Sequence, residues 1–209
     1  GDTTEQNDAQ NQQEISYVQM MSKAYEKALT AKKSVVSVTK GAEQENWNAE
    51  ATGIDESVSG VIVADNGPEI LILSYASICE DAKEWCVTFS DKSEYKASLK
   101  KKDKNSGFAI FAVDKKSLSD ATWSASSVAS LGNSNLTEQG DVIFALGNIF
   151  GYAGGSGYGI VSSSNYKEIG RDGEYSVIAT DMSSASEGTG ILFNLDGEVI
   201  GMISSDIWK

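Results

Sequence analysis

Short apolar runs alternate with polar turns over most of the chain, after one helical stretch near its start. From Ile15 to Lys33 apolar side chains recur every three or four residues, which is typical of an amphipathic helix docked on a neighbouring surface. Beyond it, runs rich in Val, Ile, Phe and Tyr are cut by Gly, Asn, Asp and Ser, and these predict β-strands. The runs are Val35–Val38, Gly60–Ala64, Ile70–Leu73, Cys86–Phe89, Tyr95–Leu99, Phe108–Val113, Val142–Leu146, Gly159–Ser163, Tyr175–Ala179, Gly190–Asn194 and Glu198–Ile203. Evenly spaced strands of this kind predict an all-β sandwich or barrel.

The composition also divides the chain into segments. Residues 1–14 contain almost no apolar side chains and are rich in Gln, Asn, Asp and Thr, so we expect a flexible tether. A Ser-, Ala- and Asp-rich stretch near residues 117–134 is typical of a crossover between two sets of strands. The predicted organisation is a tether (1–14), an N-terminal helix (15–33), a first β-barrel (34–116) and a second β-barrel (117–209). The two barrels are expected to share one cleft within a single domain.

Charge and missing residue types exclude several functions. The chain has 30 acidic and 17 basic residues and a formal net charge of −13, which argues against nucleic acid or an anionic membrane surface as a partner. It has no histidine, so Ser-His-Asp and Cys-His catalysis and histidine-based zinc sites are excluded. No apolar run approaches the roughly 18 residues of a membrane span. We therefore expect no cofactor, no metal site and no membrane span in this chain.

Cys79 and Cys86 leave two interpretations open. In an oxidising compartment they would close a short disulfide loop, and in a reducing one they would be small buried apolar residues. A zinc site would need two further ligands that the sequence does not supply.

A string of short motifs carries a family resemblance. The motifs are Ser34-Val35-Val36-Ser37-Val38, Ser59-Gly60-Val61-Ile62-Val63, Ser90 to Ala97, Ala145 to Gly151, Gly159 to Ser163, Thr180-Asp181 and Asn194 to Gly201. In this order and near this spacing, the stretch from Ser34 to Ile203 resembles the trypsin-fold serine proteases of the HtrA/DegP type. The resemblance implies an all-β, trypsin-like double β-barrel: two six-stranded antiparallel barrels with a peptide cleft between them. The periodicity adds an N-terminal α-helix.

The positions of the family's catalytic triad carry other residues here. The resemblance places Ser77 where the family has its histidine and Gly107 where it has its aspartate. The nucleophile segment is one residue shorter, so Thr189 replaces the serine, or Gly188 does if the gap is placed differently. Glu187 and Gly188 correspond to the oxyanion loop, where an inward Glu187 carboxylate would oppose an anionic intermediate.

These replacements decide the expected function. An alcohol such as the Ser77 hydroxyl has a pKa far above neutrality and cannot serve as the general base. We therefore expect a catalytically inactive trypsin-like homologue, a pseudoprotease rather than an enzyme, that binds a peptide or protein. The resemblance implies that an extended peptide pairs with the edge formed by Gly201, Met202, Ile203 and Ser204. Because the chain starts with Gly rather than Met, we expect it to be processed, excised or tagged. Together with the tether, this start indicates an extracytoplasmic location, secreted or anchored by a segment outside this chain.

Two alternatives stay open, and the sequence predicts no oligomeric state. One is an active peptidase in which a lysine replaces histidine as the base and activates Thr189, Ser186 or Ser77. The other is a purely structural module of a larger surface protein.

Overall fold

The computed structural model describes residues 16, 18–19, 22–23, 25–41, 57–133, 142–148, 157–162, 167–169, 177–179 and 188–203. Within them, twelve β-strands account for most of the structure. They are β1 (Val35–Lys40), β2 (Ser57–Asp65), β3 (Glu69–Tyr75), β4 (Trp85–Thr88), β5 (Glu94–Asp103), β6 (Phe108–Asp114), β7 (Val142–Gly147), β8 (Gly157–Ser162), β9 (Lys167–Ile169), β10 (Val177–Ala179), β11 (Gly190–Phe193) and β12 (Val199–Ile203). All eleven predicted strands overlap one of these, and only β9 was not predicted. The all-β prediction is confirmed.

The first six strands form a closed antiparallel barrel in the order β1-β2-β3-β6-β5-β4. Side chains that alternate between the inside and the outside of the barrel build its core. On β4, Trp85 and Val87 are buried, while Cys86 between them is only half-buried. The Trp85 and Phe111 rings lie 5.3 Å apart inside the barrel. Register shifts between Ile62 and Ala64 and within β5 bend the strands, as closure of a small barrel requires.

The strands of the second half form a four-stranded sheet, β12-β11-β7-β8, and a two-stranded sheet, β10-β9. The four-strand order repeats β5-β4-β1-β2 of the first barrel, so the two halves share a winding pattern. Phe144 and Phe193 stack at 5.2 Å on this sheet. The described residues do not show a second closed six-stranded barrel, and that part of the prediction is not confirmed.

A helix, α1, is described over residues 25–31 and leads through a 3₁₀ turn (Lys32–Ser34) into β1. Ala28 and Ala31 are buried, whereas Val18, Tyr25 and Leu29 are each about half exposed or more. Among the described residues of the predicted apolar stripe, only Ala28, which has a small side chain, is buried against the rest of the protein. Alanines let a helix backbone lie close to its neighbour, which leaves the larger apolar side chains at the flank. No helix among the described residues is long and apolar enough to cross a membrane.

The segment between the halves contains a 3₁₀ turn (Lys115–Ser117) and a short helix, α2 (Asp120–Ser124), and then continues without regular structure to Leu131, which forms a β-bridge with Val199. The Ala129 N–H donates to the Ile62 carbonyl at 2.8 Å, and the Gly132 N–H donates to the Val199 carbonyl at 2.7 Å. The linker thus hydrogen-bonds to the first barrel and then to the second half. The predicted segment boundaries stay predictions, and the predicted tether lies outside the described residues.

Candidate functional site

Ser77 lies on a 3₁₀ turn, Ala76–Cys79, that follows β3 directly. Its neighbours Ala76 and Ile78 are buried, whereas Ser77 itself is exposed. The Trp85 indole Nε1 donates to the Ile78 carbonyl at 2.9 Å, which holds the turn against the barrel. Ser77, the predicted counterpart of the family's histidine, is therefore a surface serine on a fixed turn.

Gly107 lies in the turn between β5 and β6 and is exposed. Its φ of 78° is in the left-handed region, which favours glycine. The Ala76 N–H donates to the Gly107 carbonyl at 2.8 Å, so this turn touches the turn that carries Ser77. The structure thus brings the first two predicted positions together.

Thr189 precedes β11, is half-buried, and has every polar group hydrogen-bonded. Its Oγ1 accepts from the Ser59 N–H at 2.8 Å and lies 3.1 Å from the Ser59 Oγ. Its carbonyl accepts from the Ser59 Oγ at 3.1 Å, and its N–H donates to the Asn148 carbonyl at 3.0 Å. The Thr189 hydroxyl therefore ties the second half of the chain to β2 of the first barrel.

The same hydrogen-bond network continues on both sides of Ser59, which is fully buried. The Asn148 N–H donates to the Ser59 Oγ at 2.9 Å, and the Ser74 Oγ donates to the Ser59 carbonyl at 2.8 Å. Asn148 also donates through Nδ2 to the Ser57 Oγ at 2.8 Å. Gly147 permits this close approach: its φ is 124°, and a methyl group there would overlap the Ser59 side chain. We call Ser59, Ser74, Asn148 and Thr189 the interbarrel network.

Tyr75 links the turn that carries Ser77 to the segment that carries Thr189. It stands two residues before Ser77, and its buried hydroxyl accepts from the Gly190 N–H at 3.1 Å, next to Thr189. The same hydroxyl is hydrogen-bonded to the Ile203 carbonyl at the end of β12. Burial raises the pKa of Tyr75 well above its usual value, and the backbone hydrogen bond to Gly190 only partly opposes this. Tyr75 is thus a neutral hydroxyl at the junction of β3, β11 and β12.

The oxyanion-loop positions are only partly described. Gly188 is buried and offers no side chain, while Glu187 lies outside the described residues. Whichever of Gly188 and Thr189 matches the family's serine, neither presents an unengaged hydroxyl.

The predicted peptide edge falls on β12. Gly201 and Met202 are buried, Ile203 is partly exposed, and Ser204 lies outside the described residues. Among the strands that the structure describes, β12 pairs with β11 alone. On its other edge the linker is bonded at Val199, whose N–H donates to the Ser130 carbonyl at 2.8 Å, and β10 lies close to β12. Among the described residues, no strand is hydrogen-bonded to this edge from Gly201 to Ile203.

Cys79 and Cys86 are free thiols, so the disulfide interpretation is not supported. Cys79 belongs to the buried core, whereas Cys86 lies between two inward-facing residues of β4 and so points to the outer face. A disulfide would need both sulfurs on one side of the barrel wall. Burial raises the pKa of the Cys79 thiol, and the Lys102 ammonium partly opposes it; burial and then Glu94 raise the pKa of Cys86.

Motif matching alone did not assign a role to the other residues of the site. Ser59 and Asn148 stand within the matched motifs, whereas Ser74 and Tyr75 stand outside them, and the partners of all four lie 15 to 130 residues away in the sequence. The described residues contain no group of three His, Cys, Asp or Glu side chains that would hold a metal ion.

Comparison with known proteins identifies the family. The model of the trypsin-like peptidase domain matches residues 58–202, well over half of the chain. The chain belongs to this trypsin-like peptidase domain family.

Its similarity to individual proteins is more limited in extent. It is 33% identical over 147 residues to a probable periplasmic serine endoprotease, DegP-like, of Pseudomonas savastanoi pv. phaseolicola. It is 34% identical over 147 residues to the protein of the same description from Halomonas elongata. Each match covers 70% of this chain but 28% of the relative, so the chain corresponds to under a third of those proteins.

A solved structure agrees on the fold. An HtrA-type protease, AlgW, with a tripeptide, superposes with a TM-score of 0.58 at 21% identity, covering 84% of this chain and 52% of the other. The likeness at this identity concerns the fold alone, and it supports a trypsin-like architecture.

Proposed function

We propose that this chain is a catalytically inactive trypsin-like domain that binds an extended peptide of a partner protein outside the cytoplasm. The observation that carries the first half is the engagement of Thr189. Its hydroxyl accepts the Ser59 N–H, so it is committed to the interbarrel network rather than available for attack on a carbonyl.

The other two positions support the same conclusion. Ser77 supplies no base near neutral pH, and Gly107 supplies no carboxylate to orient one. The chain contains no histidine to take over the role from elsewhere. In a well-studied protease of another fold, loss of the triad lowers kcat by about 10⁶, or roughly 8 kcal/mol of transition-state stabilisation. A loss of that size leaves turnover below ordinary detection.

The binding half of the proposal rests on the scaffold. The closed first barrel and the β12-β11-β7-β8 sheet are both present. Beyond Val199, which the linker occupies, the outer edge of β12 has no hydrogen-bonded strand among the described residues. Backbone N–H and C=O groups on such an edge can pair with an extended peptide, as in β-augmentation. The relatives named as periplasmic DegP-like endoproteases support the location outside the cytoplasm.

Peptide binding is tested with an array of ten-residue peptides and fluorescence-labelled protein. Ile203→Asp is the variant of choice, because Ile203 is partly exposed whereas Met202 is buried in the core and its replacement would disturb folding. Val128→Asp places the same charge on an exposed site of the linker and is the matched control. The proposal predicts bound peptides whose signal falls with Ile203→Asp and not with Val128→Asp. An array without any bound peptide would contradict it.

A further inference from the structure

The end of β5 and the turn that follows it concentrate positive charge. Lys101, Lys102 and Lys104 are all exposed, and none forms an ion pair with a carboxylate among the described residues. The neighbouring Lys100 is different, because its ammonium pairs with Glu69 at 3.0 Å. We call Lys101, Lys102 and Lys104 the hairpin lysines.

The carboxylate beside these lysines belongs to Asp103, the last residue of β5, and is engaged by the turn that follows. Asp103 accepts the Asn105 N–H at 2.9 Å, and this bond, more than the ammonium of Lys101, holds its pKa below the usual range. Its carboxylate stabilises the turn and offsets only part of the charge of the three lysines.

The positive charge of the hairpin lysines contrasts with the net negative charge of the rest of the chain. Residues 57–116 contain nine lysines and nine carboxylates, so the whole net charge of −13 resides outside them. At an ionic strength of 0.15 M the field of an exposed charge decays over about 8 Å. The hairpin lysines therefore present a locally positive surface in spite of the distant negative charge.

The hairpin lysines border the candidate site. Gly107 belongs to the same turn, and its carbonyl accepts the N–H of Ala76 beside Ser77. Lys102 acts electrostatically on Cys79, which ends the turn carrying Ser77. Gly107, the predicted position of the family's carboxylate, thus lies in the turn that also carries Lys104.

They also lie near the end of the peptide edge. Phe108, the first residue of β6, pairs with Tyr75, and the Tyr75 hydroxyl reaches the Ile203 carbonyl at the end of β12. One strand spacing and one tyrosine side chain thus separate the start of β6 from the end of β12. A peptide bound at the Ile203 end of β12 would therefore lie near the start of β6, which follows the hairpin lysines directly in the sequence.

We infer that the peptide bound by this domain is acidic, with carboxylates that face the hairpin lysines where the peptide leaves β12. The inference rests on the proposed peptide-binding function and adds the chemical class of the partner. Carboxylates complement exposed ammonium groups, and neutral or basic segments gain nothing from them.

The test compares two fluorescein-labelled ten-residue peptides in a fluorescence anisotropy titration at 0.15 M salt. One alternates Glu with Val, and the other replaces every Glu by Gln. The proteins are the wild type, a triple variant Lys101→Gln, Lys102→Gln, Lys104→Gln, and a control triple variant Lys32→Gln, Lys33→Gln, Lys116→Gln. All six positions are exposed lysines, so both triple variants change the net charge equally.

We expect the Glu peptide to bind the wild type roughly tenfold more tightly than the Gln peptide, as three exposed ion pairs would supply. The hairpin variant should abolish that difference, and the control variant should change it less than twofold. Higher salt should weaken the Glu peptide selectively. Circular dichroism confirms that each variant is folded.

Three results would overturn the inference, and they separate it from the proposed function. Equal binding of both peptides, still sensitive to Ile203→Asp, would remove the acidic partner and leave peptide binding intact. No binding of either peptide would contradict both. Tighter binding of a ten-nucleotide single-stranded oligonucleotide than of the Glu peptide, lost in the hairpin variant, would assign the lysines to a nucleic acid instead.

Discussion

The Thr189 hydroxyl accepts a 2.8 Å hydrogen bond from the Ser59 backbone N–H, across 130 residues of sequence. This contact places a side chain at the boundary between the two halves, where the family resemblance had predicted a replaced nucleophile. It gives Thr189 a structural role that substitutions can measure.

Thr189→Val should destabilise the protein by about 1–3 kcal/mol, because the buried Ser59 N–H loses its acceptor while the volume is nearly conserved. Thr189→Ser keeps the hydroxyl and should lie closer to the wild type. Urea unfolding followed by tryptophan fluorescence measures both. Equal stability of the valine variant and the wild type would show that the hydrogen bond contributes nothing.

Gly147→Ala should destabilise the fold by more than about 2 kcal/mol, since the new methyl group would overlap Ser59. Gly67→Ala is the matched control, because Gly67 also has a positive φ, 100°, but has open space around its Cα. The Gly67→Ala variant measures the cost of backbone strain alone, and we expect it to lower the free energy of unfolding by about 1 kcal/mol. If thermal unfolding shows both variants to be equally stable, the crowding at Ser59 is not real.

Tyr75→Phe should destabilise the protein by about 1–3 kcal/mol, because it leaves the Gly190 N–H and the Ile203 carbonyl without their buried partner. The ring is retained, so the loss reports on the hydroxyl alone. Urea unfolding at pH 7 measures it, and a difference below about 0.5 kcal/mol would contradict the hydrogen bonds at this junction.

The raised pKa of Tyr75 predicts a pH dependence. In the unfolded chain the tyrosine ionises near pH 10, whereas in the folded protein it stays protonated to higher pH. The unfolded state therefore releases the proton first, and stability falls as the pH rises through and above about 10. The difference in unfolding free energy between wild type and Tyr75→Phe should shrink from pH 9 to pH 11. A constant difference over that range would mean that the pKa of Tyr75 is not raised.

Both cysteines should titrate as free thiols without reductant when the protein is unfolded in the presence of Ellman's reagent. In the folded protein they should react more slowly than free cysteine, because their raised pKa values reduce the thiolate fraction. The half-buried Cys86 should react before the buried Cys79, and the variants Cys79→Ser and Cys86→Ser assign the two phases. A count of zero thiols would restore the disulfide.

Local pattern predicted the strands well and the contacts between halves poorly. The eleven predicted strands rest on alternation and turn residues, which are properties of a few consecutive positions. The strand β9, Lys-Glu-Ile, was missed because three residues with one apolar side chain show no alternation. The stripe on α1 was overestimated because periodicity identifies an apolar face without showing which of its residues touch the barrel.

The candidate site shows the same contrast between local signals, which the sequence carries, and long-range contacts, which it does not. The resemblance assigned Ser77 to the family's histidine position and Gly107 to its aspartate position. The hydrogen bond from Ala76 to Gly107 shows that the turns carrying these two residues touch. Tyr75 and Ser59 had no local signal, since a tyrosine at the end of a strand and a serine within one are ordinary features. Their roles depend on partners 115 and 130 residues away, which only the fold brings near.

The central claim is that no group in this domain activates a nucleophile, and hydrolysis of fluorescein-labelled casein tests it most directly. Micromolar wild-type protein is incubated with the substrate for a day beside Thr189→Ala, Ser186→Ala and Ser77→Ala, with protein-free buffer as the blank. The account predicts release indistinguishable from the blank for all four proteins. Release by the wild type that one of these substitutions abolishes would contradict it and identify the nucleophile.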